Sequence, residues 1–463
     1  IHPARGWRGP GFSTTVLDVT RREAPVLLLA SGTRGDVQPF IALALGLQEA
    51  GVPSVVAAAP RFRELVEDRG VRFAPLRGNP SDLMSDGRGS MAASLSAGVA
   101  RGILSTARFL RAAQGEYRLM LESAADAGRP ARAVLAGLSS TWGLSVAEAL
   151  GVPCVMCMLQ PFGRTRHFPS ALLPFRGSLG GAYNALTYRV LEQVMWQPWR
   201  RTTNHWRGAM RLPALPVAGP WHGMYSAGIP CIYGFSPEIA PPPPDWPAGH
   251  AVTGYWFLEH GGWSAPPLLE RFLASGPPPV FLGFGSMGMR GGSPLERAAQ
   301  AALEMSRCRA VVSGGGSTSG GSTAGGEDPS MTLVDGARHT IVRGDVPHAW
   351  LFRRVSAVVH HGGAGTTAEG VRAGVPSVIF PVAADQYFWA ERISALGVGP
   401  RATPASRGPR EMADLIARAS TDEGMRRRAR ALGEKVRAEK GVDRAVELLL
   451  PILEPRRRRN GPR

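Results

Sequence analysis

Residues 355–374 constrain the fold more than any other stretch of the 463-residue chain. An apolar run, Val355 to Val359, passes directly into His360-His361-Gly362-Gly363-Ala364-Gly365-Thr366-Thr367-Ala368-Glu369, and a short amphipathic run then ends at Gly374. A strand that leaves through a glycine-rich turn and re-enters as a helix is the unit from which parallel α/β sheets are built. Such a turn aims backbone N–H groups and the positive end of a helix dipole at one point, which suits a phosphate. Two histidines and two hydroxyls at the same place add donors for an anion.

The same pattern occurs near the start of the chain. Pro25 to Ala30 reads as a buried strand, Ser31-Gly32-Thr33-Arg34-Gly35-Asp36 as its exit loop, and Gln38 to Ala50 as a helix closed by Gly51. A second strand, Val52 to Ala58, completes a βαβ unit, whose first loop lies at the carboxyl end of a strand, where open α/β sheets place their ligands. The alternation continues: a helix over 61–69, a strand over Val71 to Leu76, helices with a mobile loop around Ser85–Ser90 within 81–125, then strand, helix and strand to Leu159. Residues 160–225 are rich in Trp, Tyr, Phe and Arg, a set that serves either as core or as the wall of a pocket for a large apolar molecule.

Composition changes at Pro237–Pro247, with four consecutive prolines at 241–244, and again at Gly276-Pro277-Pro278-Pro279. Proline-rich segments make stiff, extended connectors. The expected division is therefore a tail at 1–22, a first α/β half at 23–236, a linker at 237–278, a second α/β half at 279–453 and a basic tail at 454–463, with the last apolar run (Val446 to Leu453) docked on a core, that of the first half included. Within the second half, strands are expected at Val280 to Phe284, Ala310 to Ser313, Met331 to Val334, Thr340 to Val342 and Val375 to Val382, besides the run at 355–359. The Gly/Ser/Thr tract at Gly314–Gly326 reads as a surface loop.

The formal charge of +17 comes almost entirely from arginine, the only lysines being Lys435 and Lys440. No nucleic-acid-binding motif accompanies it, so a nucleic-acid partner is not expected, whereas weak peripheral contact with anionic lipid is. Four cysteines do not make a disulfide framework, and Cys154 and Cys157, three apart on a strand, face opposite sides; a reducing, cytoplasmic setting follows. No apolar run reaches the ~18 residues of a membrane helix. Residues 1–22 lack the apolar core of a signal peptide and read as a tail, a processing remnant or a start-site artefact.

Several motifs together resemble a known family. Ser31-Gly32-Thr33-Arg34-Gly35-Asp36-Val37-Gln38-Pro39, Gly254-Tyr255-Trp256, Gly283-Phe284-Gly285-Ser286-Met287 and Val346-Pro347-His348-Ala349-Trp350-Leu351-Phe352 are followed by His360 to Thr367, Asp385-Gln386-Tyr387-Phe388-Trp389-Ala390 and Gly397-Val398-Gly399. In order and spacing they are similar to family 1 glycosyltransferases of the UDP-glycosyltransferase superfamily, in the branch of bacterial and fungal sterol and natural-product glucosyltransferases. The resemblance spans about residues 25–400. It implies the α/β GT-B fold, two doubly wound Rossmann-like domains facing a central cleft. It also implies an inverting, metal-independent transfer of a hexose from a nucleotide-sugar, UDP-glucose first, to a hydroxyl of a lipophilic sterol, terpenoid or polyketide. No cofactor is implied, the nucleotide-sugar being a co-substrate.

The roles carried over are as follows. Asp36 is the general base, with helix N-capping as its alternative, and Gly32, Thr33, Arg34 and Gly35 form the acceptor-side loop. His361, Gly363, Gly365 and Thr366 hold the diphosphate, and Ser286 approaches it from the other side. Glu369 holds the ribose hydroxyls or is a solvated helix-face charge. Asp385 and Gln386 bind the sugar. His360 either ends the strand pointing inward or meets the ligand, and Trp350 packs rather than stacking on a base. No Asp-x-Asp occurs, so no bridging metal is expected. Two departures stand out: Gly315-Gly316-Ser317 where the family shows Trp-Gly, and Arg353 where proline is usual. Competing readings are an inactive sugar-nucleotide-binding homologue and a nucleotide-sugar epimerase on the same fold. A Rossmann dehydrogenase is disfavoured, since no G-x-G-x-x-G follows the first strand.

Overall fold

The computed structural model describes residues 23–78, 99–173, 177–259, 261, 263–284, 294–314, 331–334, 339–343, 346–402 and 408–453. Ser286, the tract beginning at Gly315 and the loop around Ser85–Ser90 lie outside them.

The apolar run after Pro25 forms β1 (Val26–Leu29), every residue of it buried. The chain continues through α1 (Arg34–Glu49), β2 (Ser54–Ala58), α2 (Arg63–Glu67), β3 (Arg72–Pro75), α3 (Val99–Ala127), β4 (Ala133–Ala136), α4 (Gly143–Leu150) and β5 (Cys154–Met158). Three helices follow, α5 (Gly181–Trp196), α6 (Arg200–Ala209) and α7 (Trp221–Ser226), before β6 (Cys231–Tyr233) and β7 (His250–Val252). These strands form one parallel sheet in the order β3-β2-β1-β4-β5-β6-β7. The order reverses between β1 and β4, so the crevice at their carboxyl ends is the topological switch point.

The second half begins with α8 (Pro267–Ala274) and β8 (Val280–Gly283), then α9 (Pro294–Ser306), β9 (Ala310–Gly314), β10 (Met331–Val334), β11 (His339–Arg343) and α10 (His348–Leu351). It continues with β12 (Ala357–His360), α11 (Ala364–Ala373), β13 (Ser377–Ile379) and α12 (Gln386–Ala395), and closes with α13 (Pro409–Thr421), α14 (Glu423–Ala438) and α15 (Gly441–Leu453). Its sheet runs β10-β11-β9-β8-β12-β13, parallel except for the β10–β11 pair. Here the reversal falls between β8 and β12, directly above the glycine-rich turn.

The span 237–278 is not the plain connector that its prolines imply. It contributes β7, the edge strand of the first sheet, and buries Ile239, Ala240, Val252, Tyr255 and Trp256 in that half. An edge strand has a free ladder side and so tolerates prolines around it. Its far end supplies α8, whose Leu269 and Phe272 pack on Phe281, Phe352 and Val358 of the second half. The last helix returns to the first half. Ala445, Val446, Leu449 and Leu453 of α15 are buried in the same cluster as Val37, Ile41 and Leu47 of α1. Gly46 lets the helices approach, since a Cβ there would sit 2.5 Å from Val442 Cγ1.

The halves also meet along the cleft. Trp389 of α12 contacts Phe235 edge-on with ring centroids 5.9 Å apart, and Arg392 donates to the Ile239 carbonyl at 2.6 Å. Ser236 donates to Glu439 at 2.6 Å, and Lys435 pairs with Glu238 at 2.9 Å. Among the described residues no helix is long and apolar enough to cross a membrane.

Candidate active site

The loop leaving β1 is tied to the loop leaving β4. The Ser31 hydroxyl donates to the Ser139 carbonyl at 2.8 Å and lies 2.9 Å from the Ser140 hydroxyl, and Ser140 in turn accepts from the Ser31 N–H. Gly32 then turns the chain with φ +125°, a conformation open to glycine but not to a β-carbon, which would meet the Asp36 carboxylate. Arg61 reaches in to hold the Gly32 carbonyl at 3.1 Å.

Thr33, not Asp36, is the N-cap of α1; Asp36 is the third helical residue and reaches back. Its Oδ2 accepts from the Thr33 N–H at 2.7 Å and from the Thr33 hydroxyl at 2.9 Å, the carboxylate half of a capping box. Both bonds use one oxygen, so Oδ1 stays available. Burial pushes the Asp36 carboxyl above its ordinary range, and the two Thr33 bonds pull it back. Gly35 and Arg34 lie in the first turn beside it.

Opposite lies the turn after β12. His360 is fully buried at the strand end, and its Nδ1 accepts from the Gly362 N–H at 3.1 Å. It therefore shapes the turn. Burial, then the neighbouring His361 and His348, drive its pKa well down, so it is neutral. Gly362 has φ +94°, with Ile379 and Gln386 packed where a side chain would go. Gly363 caps α11, and a Cβ there would lie 2.8 Å from His361 Nε2, so the imidazole lies against the turn. His361 is 9% exposed, its Nδ1 has no partner among the described residues, and burial lowers its pKa. It offers a neutral donor rather than a fixed charge. The space above Gly365 is open. Thr367 turns inward to its own helix, donating to the Gly363 carbonyl at 2.9 Å, whereas Thr366 is half-exposed in the first turn of α11. Four N–H groups at that helix end lack intrahelical partners.

Asp385 stands at the N-terminus of α12 and accepts from the Trp389 indole N–H at 2.8 Å. Burial raises its pKa to about 6; the indole bond opposes this, and the charge of Asp36 from the other half adds to it. Asp385 thus senses the Asp36 carboxylate across the cleft. Ala384 takes φ +52°, an uncommon conformation for a side-chain-bearing residue and one that aims the turn into the site. Gln386 is buried, and its Oε1 accepts from the N–H groups of Val382 and Ala383 at 2.7 and 3.1 Å. That oxygen holds the loop.

Glu369, one turn into α11, is no solvated surface charge. Its Oε2 is buried without a partner among the described residues, and Arg372 stands 3.7 Å from Oε1. Burial raises its pKa to about 7 against the pull of Arg372. Trp350 packs edge-on against Trp263, with rings 5.0 Å apart, under the Arg354 guanidinium.

Beyond Ser31 and Gly32 a cavity of about 260 Å³ opens into the first half, walled chiefly by Tyr117, Trp142, Met195, Trp196, Trp199 and Trp221. Tyr117 stacks on Trp199 with centroids 4.8 Å apart and meets Trp142 edge-on. The aromatic content of 160–225 thus walls a pocket as well as packing the core. Sequence reasoning missed Trp389 and Ser140. The first carried a signal, a tryptophan one helical turn after Asp385; the second, far away in sequence, carried none.

Comparisons with known proteins bear on the fold and its relatives. Residues 26–169 match the glycosyltransferase family 28 N-terminal domain, and residues 335–444 match the erythromycin biosynthesis protein CIII-like C-terminal domain. The fold is that of the GT-B glycosyltransferases. Within that class it is similar to fungal sterol 3-beta-glucosyltransferases: it is 33% identical to that of Neurospora crassa over 440 residues and 35% identical to that of Emericella nidulans over 442. Each alignment covers 93% of this chain but only 27% and 30% of the respective relative, so the chain spans less than a third of their length. Among solved structures, the glycotransferase of kitacinnamycin superposes with a TM-score of 0.63 at 17% identity, covering 94% of this chain and all of that one. The calicheamicin glycosyltransferase CalG4 gives 0.61 at 19%, covering 93% and 98%. A Streptomyces glycosyltransferase, SsfS6, complexed with thymidine diphosphate, gives 0.56 at 18%, covering 92% and 99%.

Proposed function

We propose that the protein transfers a hexose, with inversion, from a nucleotide-sugar to a hydroxyl of a lipophilic acceptor, with UDP-glucose and sterol-like alcohols as the first pair to test. The observation that carries this reading is the buried Asp36 carboxylate packed against Gly32, which lines an aromatic cavity, with Asp385 of the other half close enough to feel its charge. An acceptor seated in that cavity presents its hydroxyl to Asp36 Oδ1. The oxygen attacks the anomeric carbon, its proton passes to Asp36, and the bond from that carbon to the diphosphate breaks with its electrons on the leaving phosphate. The N–H groups opening α11, the Thr366 hydroxyl and the neutral His361 imidazole donate to the developing charge. Asp385 orients the sugar hydroxyls and Glu369 those of the ribose, each carboxylate poised by burial to exchange water for a ligand hydroxyl.

The names of the sterol 3-beta-glucosyltransferase relatives support the acceptor class, and the thymidine diphosphate held by a fold neighbour supports a nucleoside diphosphate at the turn. The decisive assay incubates the protein with UDP-glucose and a panel of hydrophobic alcohols and follows UDP and glycoside formation. Acceptor-dependent release that is lost in Asp36→Asn is the expected result. Nucleotide-sugar binding without release for any acceptor would overturn the reading in favour of an inactive binding protein.

A further inference from the structure

The outer face of the helix that walls the cavity is apolar and unpartnered. On α5, Leu186, Val190 and Val194 are 56%, 44% and 61% exposed, and they follow one another at one-turn intervals. Leu179, just ahead of the helix, is 82% exposed, and Val217 is 64% exposed. Gln193 and Gln197 fasten the 217–218 segment to this same face by donating to the Ala218 and Val217 carbonyls, both at 2.9 Å. The exposed aliphatic groups therefore form a strip along a helix about 24 Å long. Five of the eight large exposed apolar side chains among the described residues lie in this one region. Scattered exposed leucines need no explanation, but a contiguous strip does.

The charge on the strip's own stretch of chain is one-sided, Asp245 being the carboxylate that reaches it from outside, at the Arg166 N–H. Residues 164–229 hold eight arginines, no lysine and a single carboxylate, Glu192. Glu192 is buried and paired with Arg164, and Arg207 is buried against Glu148. Arg166, Arg189, Arg201 and Arg211 are exposed and form no ion pair among the described residues. Arg166 lies beside Gly181 at the start of α5, Arg189 projects from the exposed face of the helix, and Arg201 follows just past its end. Aliphatic side chains between unpaired guanidinium groups match the layering of an anionic bilayer surface, acyl chains below and phosphates above. The opposite side of the same elements carries Met195, Trp196, Leu215 and Pro220 into the cavity wall.

We infer that α5 and the 212–220 segment form a docking face for an anionic lipid bilayer, which seats this wall of the apolar cavity next to the membrane interface. This inference stands apart from the proposed transfer reaction, because its readout is partition onto lipid and not turnover.

The test uses the full chain with sedimented vesicles of phosphatidylcholine alone or with one third phosphatidylglycerol. The wild type is expected to bind the anionic vesicles and to be released by salt. Leu186→Asp with Val190→Asp is expected to lower binding at least tenfold, and Arg189→Glu with Arg201→Glu to do the same. The milder Val194→Ser is expected to lower it severalfold, which keeps the test open if the double variant is poorly folded. Unchanged thermal unfolding checks each variant. Wild-type protein that stays in the supernatant, or variants that bind as well as wild type, would overturn the inference. So would a wild-type dimer in light scattering that Leu186→Asp with Val190→Asp converts to monomer, since a second copy would then own the face.

Discussion

In the proposed reaction Asp36 divides its oxygens: Oδ2 closes the first turn of α1 through Thr33, and Oδ1, which takes no part in the cap, receives the acceptor proton. Asp36→Asn keeps the shape and removes the base, so kcat should fall by about 10²–10⁴-fold with donor KM little changed, as steady-state kinetics would show. Asp36→Ala loses the cap as well and should cost about 1 kcal/mol in a denaturant melt. The base works only when ionised, so kcat should decline as pH falls through the raised Asp36 pKa. Burial rather than a neighbouring charge raises that pKa, so Asp385→Asn should leave the acid limb of the pH–rate profile in place, whatever the change in rate. Glu369 gives a stability prediction of definite sign. Its pKa of about 7 lies above the unfolded value, so the folded state is favoured when the group is protonated, and that advantage is lost as pH rises through about 7. Tm should climb as pH drops from 8 towards 6, and Glu369→Gln should flatten the climb and raise stability at pH 8 by about 2 kcal/mol. Asp36, Asp385 and Glu369 were legible as residues through their motifs. That Glu369 is buried was not, because one carboxylate on a helix reads alike whether it stands in water or buried beside Arg372.

Two elements hold the site, and each is set by contacts that local sequence carries unevenly. The β12–turn–α11 unit was readable because an apolar run, glycines and a helix start follow in order. The neutral His360 that braces Gly362 was not separable from His361, since adjacent histidines look the same until burial distinguishes them. On α12, Trp389 is fully buried, holds Asp385 through its indole N–H and rests on Phe235 of the other half. It is a positioning residue. Trp389→Phe keeps the packing and deletes one hydrogen bond to a carboxylate, worth about 1.5 kcal/mol, so donor KM should rise roughly tenfold with a smaller change in kcat. An equal loss in both, with a lower Tm, would make the role purely structural. The sheet edge was misread for a physical reason: prolines around 237–247 remove donors, which an edge strand such as β7 does without, and sequence periodicity over three residues is too short to show.

At the scale of the molecule, two open parallel sheets turn their switch points towards one cleft, and the order of motifs along the chain was enough to anticipate that arrangement. How closely the halves are joined was less visible, because Arg392, Lys435 and Glu439 reach their partners across more than 150 residues of sequence. Charge stabilisation at the leaving group falls to protein donors in this scheme, so EDTA should leave the rate of hexose transfer unchanged, and a rate abolished by EDTA and restored by a divalent cation would contradict it.

The return of α15 onto α1 has a consequence in time as well as space. A ribosome delivers the helix carrying Asp36 early and the helix that covers its back about 400 residues later. At 5–20 residues per second, roughly, the outer face of α1 stays bare for tens of seconds. The first half cannot therefore finish its core from its own stretch of message, and the back of α1 is covered only when α15 arrives. A nascent chain stalled before Gly441 should stay sensitive to protease within 34–49, and one extended past Leu453 should not.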